Sequence, residues 1–253
     1  MYNLTEEDDK FCKEYKLNEK DKYEKPSVTV DILIFTVKNG KLNLMLIKRG
    51  GRPFKNQWAI PGGFLDVTKK ETIEQTAKRE LKEETNIEGF LEKFDVFSEP
   101  ERDPRMRVLS IAFIALLPYE TLLANMKAGD DAKEVELFEL GDKLVPLLDR
   151  RNSEIDYSDL AFDHEQIIKR GLAYLKKSLK YDNALIFFNL LNKDGFTISD
   201  LLKVHEAIRG EVIPPANFRR DFKNKYIKTG LAEETGELLQ QYQRPAKLYR
   251  MRG

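Results

Sequence analysis

Apolar and polar positions divide the chain into two regions of different character. From residue 27 to about 140, β-branched and aromatic residues crowd into short runs bounded by turn residues, the pattern of strands. "SVTVDILIFTV" (27–37) and "GKLNLMLIKR" (40–49) flank Asn39-Gly40, which predicts a hairpin. "NQWAIPGGF" (56–64) reads as a strand ending in a glycine pair, "VLSIAFIALL" (108–117) as a strong strand and "KEVELFEL" (133–140) as a weaker one. Among them lies one helical stretch. Thr72-Ile73-Glu74-Gln75 fits a capping box that starts a helix at Ile73, and Asn86 is a tolerable stop. Past about residue 150 helical periodicity takes over, at 163–180, 197–209 and 215–228. The segment 230–251 reads as two short extended stretches with a Thr-Gly turn between them. The pattern predicts a mixed α/β domain, then a second domain of helices and a small hairpin. Residues 1–25 are charge-rich without sustained periodicity and read as a tail or a short surface helix.

Composition narrows the setting. A chain of 253 residues holds one large domain or two smaller ones. Its 43 Lys and Arg balance 43 Asp and Glu, so overall charge points to neither nucleic acid nor membrane and local asymmetry has to be sought. Cys12 stands alone, which excludes an internal disulfide and suits the cytoplasm. The N-terminus lacks the apolar core of a signal peptide, and the longest apolar run, "ALIFF" (184–188), is too short to span a bilayer.

The helix from Ile73 carries the candidate chemistry. With Leu81 at zero and roughly 100° per residue, Ala77 and Ile73 form an apolar stripe that also contains Glu84 and Glu80. Glu83 lies at the stripe's margin, while Lys78 and Lys82 point the other way. A solvated Glu/Lys helix would put its acids outside, which this register does not do. Inward carboxylates need compensation by cations or hydrogen bonds. Arg79 can supply part of it and a hard divalent cation more, since Mg²⁺ takes oxygen ligands. Glu71, eight residues before Arg79, can pair with it, and "PGGF" (61–64) provides glycines where backbone approaches a ligand closely.

Read together, "GGFLDVTKKETIEQTAKRELKEETNI" (62–87) resembles the Nudix box, G-x5-E-x7-R-E-U-x-E-E-x-G-U with U aliphatic. From Glu71 to Ile87 the match is position by position, except that Asn86 replaces the glycine. Upstream, seven residues rather than five separate Gly63 from Glu71. The resemblance implies a Nudix fold, a mixed sheet between helices, with Glu80, Glu83 and Glu84 as ligands of Mg²⁺ or Mn²⁺. The Gly63 carbonyl is implied as a further ligand, and Glu71 and Arg79 as the pair that orients the acids. The implied reaction is hydrolysis of a nucleoside diphosphate linked to another group.

"RPFKNQWAIPGGFLD", "ERDPRMRVLSIAFIALL" and "GDDAKEVELFEL" resemble the branch of that family that handles ADP-ribose. Arg49, Arg52, Arg105 and Arg107 are candidates for phosphate or ribose, and Phe54 and Trp58 for stacking on adenine. Each also reads as an ordinary surface charge or core aromatic. Glu134 reads as an auxiliary base or a surface acid. His164 and His205 are far in sequence from any metal-like cluster and receive no chemistry.

The stretch 214–253 is locally basic, with nine cations against four acids. Its helix–turn–helix layout places Asn217, Arg219, Arg220 and Lys223 where a recognition helix meets DNA, with Arg244 in the following wing. A basic domain serving dimerisation, or packing on the first domain, fits the composition equally well. "DHEQII", "NFRRDF", "TGL", "TGE" and "RPAKLYRM" resemble the tail of the Nudix-related transcriptional regulators of NAD metabolism. After the charged segment at 1–25, that resemblance implies a Nudix domain at 26–160 and a winged helix-turn-helix at 161–253, acting as a DNA-bound homodimer that senses ADP-ribose. "QYQRPA" departs from the family's wing. Because the box keeps every acid, the expectation is an active ADP-ribose-type hydrolase. A ligand-sensing repressor is the alternative, and a hydrolase of other nucleotides a third.

Overall fold

The protein is described by a computed structural model covering residues 5–18, 25–125, 132–147, 154–180, 184–240 and 245–252. A surface helix, α1 (Glu6–Asn18), precedes the hairpin of β1 (Ser27–Lys38) and β2 (Lys41–Arg49). Two short strands follow, β3 (Trp58–Ala59) and β4 (Gly62–Phe64), and then the box helix α2 (Ile73–Thr85). Next come β5 (Leu91–Phe97), β6 (Val108–Leu116), α3 (Tyr119–Asn125), β7 (Ala132–Leu140) and β8 (Leu144–Pro146). The long α4 (His164–Lys180) leads to a 3₁₀ turn at 184–190, α5 (Ile198–Arg209), α6 (Pro215–Phe222) and the hairpin of β9 (Ala232–Leu239) and β10 (Ala246–Met251).

The main sheet runs β5-β6-β1-β2-β7-β8, with β3 beside β2 and β4 beside β1. β1 and β6 are parallel, from Ser27 opposite Val108 to Phe35 opposite Leu116, and the other pairs are antiparallel. Alternation along β1 then sorts its side chains onto two faces. Val30, Ile32 and Ile34 pack with Ala77 and Leu81 of α2. Leu33 and Phe35 pack with Ile167, Ile168 and Leu175 of α4, and the same apolar cluster runs on into Phe187, Leu201, Val204 and Ile208. The box helix and the C-terminal region thus lie on opposite faces of one sheet. Gly171 lets α4 press on β1, because a Cβ there would stand 2.1 Å from the Leu33 Cδ1.

The capping box at Thr72 forms as its spacing predicts: Gln75 N–H donates to the Thr72 hydroxyl, and Thr72 N–H donates to the Gln75 side chain at 2.7 Å. Asn86 closes α2 in the left-handed conformation, φ 53°, which is why it can stand for glycine. Other expectations need correction. "NQWAIPGGF" is two strands, interrupted at Ile60-Pro61 as β3 pairs with β2 and β4 crosses to β1. The Thr-Gly step at 235–236 is not the turn of the C-terminal hairpin. Gly236, φ 83°, lies inside β9, and the Thr235 hydroxyl donates to the Leu248 carbonyl beside a register shift. Helix α6 ends at Phe222 and continues as a π turn over 223–227, seating Phe222 and Tyr226 inward. No helix among the described residues is long and apolar enough to cross a membrane.

Candidate nucleotide site and nucleic-acid interface

Helix α2 places its acids as the helical register requires. Glu80 and Glu84 are 8% and 9% exposed, and the Glu83 side chain is 56% exposed. Arg79 gathers them. Its Nε donates to Glu71 Oε1 at 3.1 Å, its Nη1 to Glu80 Oε1 at 2.6 Å and Glu83 Oε2 at 3.2 Å, and its Nη2 to the Phe64 carbonyl at 3.2 Å. Hydrogen bonding to Arg79 holds the Glu71 carboxyl below the usual range and raises the arginine further. Burial pushes Glu80 up, and Arg79 offsets only part of that. Gly63 makes room for this carboxylate, since a Cβ there would stand 2.0 Å from Glu80 Oε1.

Among the described residues no three acidic, histidine or cysteine side chains form a ready cation cluster. The charge between Glu71, Glu80 and Glu83 is the Arg79 guanidinium. The residues nevertheless fit a hard cation: the donor set is carboxylate oxygen throughout, and Gly63 leaves a cradle that any larger residue would fill.

Beyond Phe64, the structure draws several expected substrate residues together. The Arg105 guanidinium lies 5.9 Å from the Phe64 ring and 5.9 Å from the Phe162 ring, and Arg49 lies 4.8 Å from Phe162. Arg49 Nε donates to the Pro53 carbonyl at 3.0 Å, and Arg105 is fixed by two hydrogen bonds to buried Asp103. Phe54 meets Phe162 edge to face at 4.8 Å. Arg107 precedes β6, and its Nη1 is buried with no hydrogen-bond partner among the described residues. Arg52 is exposed on the loop after β2. Trp58 is a core residue against Phe138, and Glu134 pairs with Lys48.

Sequence reasoning missed Phe162, which has φ 55° and sits in the connection before α4. An isolated aromatic in a loop carries no periodic signal. Its tertiary neighbours single it out. It also missed a buried polar group beneath the site. Arg102 donates to Asp163 at 2.7 and 2.9 Å and to Asp31 at 3.3 Å, Ser110 donates to Asp31, and Ile60 N–H donates to His164 Nδ1 at 2.9 Å. Burial holds the His164 pKa down, which keeps the ring a neutral acceptor.

In the C-terminal region Asn217, Arg219, Arg220 and Lys223 are all exposed on α6 and the turn after it. Phe218 is half-buried, 4.9 Å from His205. In the wing, Glu233 pairs with Arg250 and Arg252, and Glu234 with Lys247. The basic surplus is therefore concentrated on α6 and its π turn. Arg244 lies outside the described residues.

Comparisons with known proteins agree with this division. Residues 25–157 match the NUDIX domain, and residues 187–251 match the NrtR DNA-binding winged helix domain. The chain is 31% identical over 233 residues, 92% of its length and 84% of the relative's, to the ADPR responsive transcriptional repressor NtrR of Acinetobacter baylyi. It is 41% identical over 148 residues, 58% of its length and 73% of the relative's, to the ADP-ribose pyrophosphatase of Methanocaldococcus jannaschii. The crystal structure of Shewanella oneidensis NrtR complexed with a 27mer DNA superposes with a TM-score of 0.72 at 28% identity, covering 89% of this chain and 93% of that one. The chain belongs to the Nudix family and, through its NrtR-type winged helix, stands close to the Nudix-related regulators of ADP-ribose and NAD metabolism.

Proposed function

We propose that this protein is a DNA-binding regulator whose Nudix domain, residues 26–160, senses ADP-ribose or a related nucleoside diphosphate derivative. Residues 161–253 are its DNA-binding part, acting as a homodimer. The observation that carries this reading is the exposed cation face of α6, on a winged helix that shares its core with the Nudix sheet. A cation face of this kind engages phosphate backbone, and residues near a recognition helix's N-terminal end reach base edges. Arg49 and Arg105 bring positive charge to the other site, and Phe54 and Phe162 bring rings suited to a base or ribose. The similarity to a whole-length repressor supports the regulator over the hydrolase as the function of the whole chain. The test is a mobility-shift titration of duplex selected from random sequence by the protein itself, with and without ADP-ribose. ADP-ribose should change the affinity at least tenfold; equal binding in both conditions would refute the sensor.

A second reading has its own support. Glu71, Arg79, Glu80, Glu83 and Glu84 are all present, and an ADP-ribose pyrophosphatase is among the similar proteins, 41% identical over 148 residues. Glu80, Glu83, Glu84 and the Gly63 carbonyl would hold a Mg²⁺ or Mn²⁺ ion, which would supply charge neutralisation for a diphosphate and activation of water. In that role Arg79 and Glu71 orient the acids, and the site arginines position the phosphates. AMP release from ADP-ribose that needs Mg²⁺ and is lost in Glu84→Gln would establish hydrolysis; release unaffected by that change would end the ligand assignment.

A further inference from the structure

The loop between β5 and β6 carries two arginines three positions apart with different surroundings. Arg105 lies beside Phe64 and Phe162, at the candidate nucleotide site. Arg102 turns into the protein, its side chain 6% exposed, and grips Asp163 through two hydrogen bonds. Asp163 is the residue before α4, and its carbonyl accepts from the Gln166 N–H at 2.9 Å in the first turn. Phe162, next to it, is the residue on which Arg49 and Arg105 converge. Asp31, the other partner of Arg102, pairs in β1 with Gly62, adjacent to the Gly63 cradle. Helix α4 then lies on β1 at Gly171 and packs against α5 and the 184–190 turn of the winged helix.

We infer that Arg102 and Asp163 are positioning residues that link nucleotide binding to the winged helix through the start of α4. This rests on the regulator reading and adds its route. An anionic ligand competes for the Arg49 and Arg105 guanidinium groups that flank Phe162. Phe162 is held in a left-handed conformation that only its surroundings sustain. Movement there reaches Asp163 directly through the chain, and moves the loop that carries both arginines. The Arg102–Asp163 pair makes these two displacements one. Desolvation offsets much of the Coulombic gain of a buried ion pair, so burial of this one is weak evidence for a role in net stability.

Binding linkage provides the test. In the wild type, the factor by which ADP-ribose changes duplex affinity must equal the factor by which duplex changes ADP-ribose affinity. Both are measured by calorimetry on the full chain without divalent cation, using duplex selected from random sequence. Asp163→Asn should leave each affinity alone within threefold of wild type, yet reduce a factor of ten or more to below three. Asp163→Glu should restore part of it, which loss of mere stability would not explain. An unchanged factor in Asp163→Asn overturns the inference while the regulator stands. A wild type that binds the two ligands independently overturns the regulator itself. A folding failure of the variant does not block the test, because hydrogen exchange on the wild type reads the same step. ADP-ribose should alter exchange at the amides of residues 164–168, and unaltered exchange there overturns the route.

Discussion

Arg79 and Gly63 show how much a single residue settles in this protein. Arg79 bridges Glu71, Glu80 and Glu83, and Gly63 leaves the volume into which Glu80 reaches. Gly63→Ala should displace the Glu80 carboxylate without unfolding the chain. Mn²⁺ affinity, followed by titration, should fall roughly tenfold or more, as it does when groups supporting a metal ligand are disturbed. His205 tells a different story. It is buried on α5 between Phe187 and Phe218, and its Nε2 has no hydrogen-bond partner among the described residues. Burial, with Arg209 and Lys225 nearby, lowers its pKa from 6.5 to about 4. The unfolded chain then binds the extra proton between those values, so stability is complete above the unfolded pKa and is lost as pH falls toward the folded one. Unfolding free energies from urea titrations at pH 7 and pH 4.5 should differ by on the order of 2 kcal/mol from this group, and His205→Leu should remove that part of the difference.

At the scale of elements, α2 and α6 behave oppositely. Helix α2 is specified locally: its capping box, its apolar stripe and its left-handed Asn86 are all in the sequence, and all form. Helix α6 is short and continues into a π turn, with Phe222 and Tyr226, four positions apart, both seated in the core formed with Phe196 and Tyr249. That core holds Arg219, Arg220 and Lys223 outward. Arg220→Ala should weaken duplex binding across sequences and lower the slope of log affinity against log salt by about one, as loss of one phosphate contact does. A slope equal to the wild type's would place Arg220 off the backbone. The strand pairs show the same contrast. Asn39-Gly40 turns the β1–β2 hairpin as expected, with Lys38 opposite Lys41. The Thr235-Gly236 step, a weaker turn signal than Asn-Gly, lies within β9 beside a register shift in its pairing with β10.

Over the whole molecule, one apolar cluster joins the face of the sheet opposite α2 to the winged helix. The two functional regions therefore do not hang on a free linker. Calorimetric unfolding should show one transition with a calorimetric-to-van't Hoff enthalpy ratio near one. Two resolved transitions would mean that the winged helix unfolds independently of the sheet.

Local chemistry was legible wherever the determinant was local. The register of α2 and the inward turn of Glu80 and Glu84 follow from spacing, because the helical period is a property of the backbone alone; the hairpin follows from the Asn39-Gly40 turn pair and the basic surplus at the C-terminus from local composition. Contacts between residues distant in the chain were not legible. Phe162 beside Arg49 and Arg105, Arg102 joined to Asp31 and Asp163, and α4 lying on Leu33 each depend on how the sheet orders its strands. The sequence by itself determined which side chains each element turns inward; only the tertiary structure decided which of those inward groups meet, since close packing brings together residues that no local period relates.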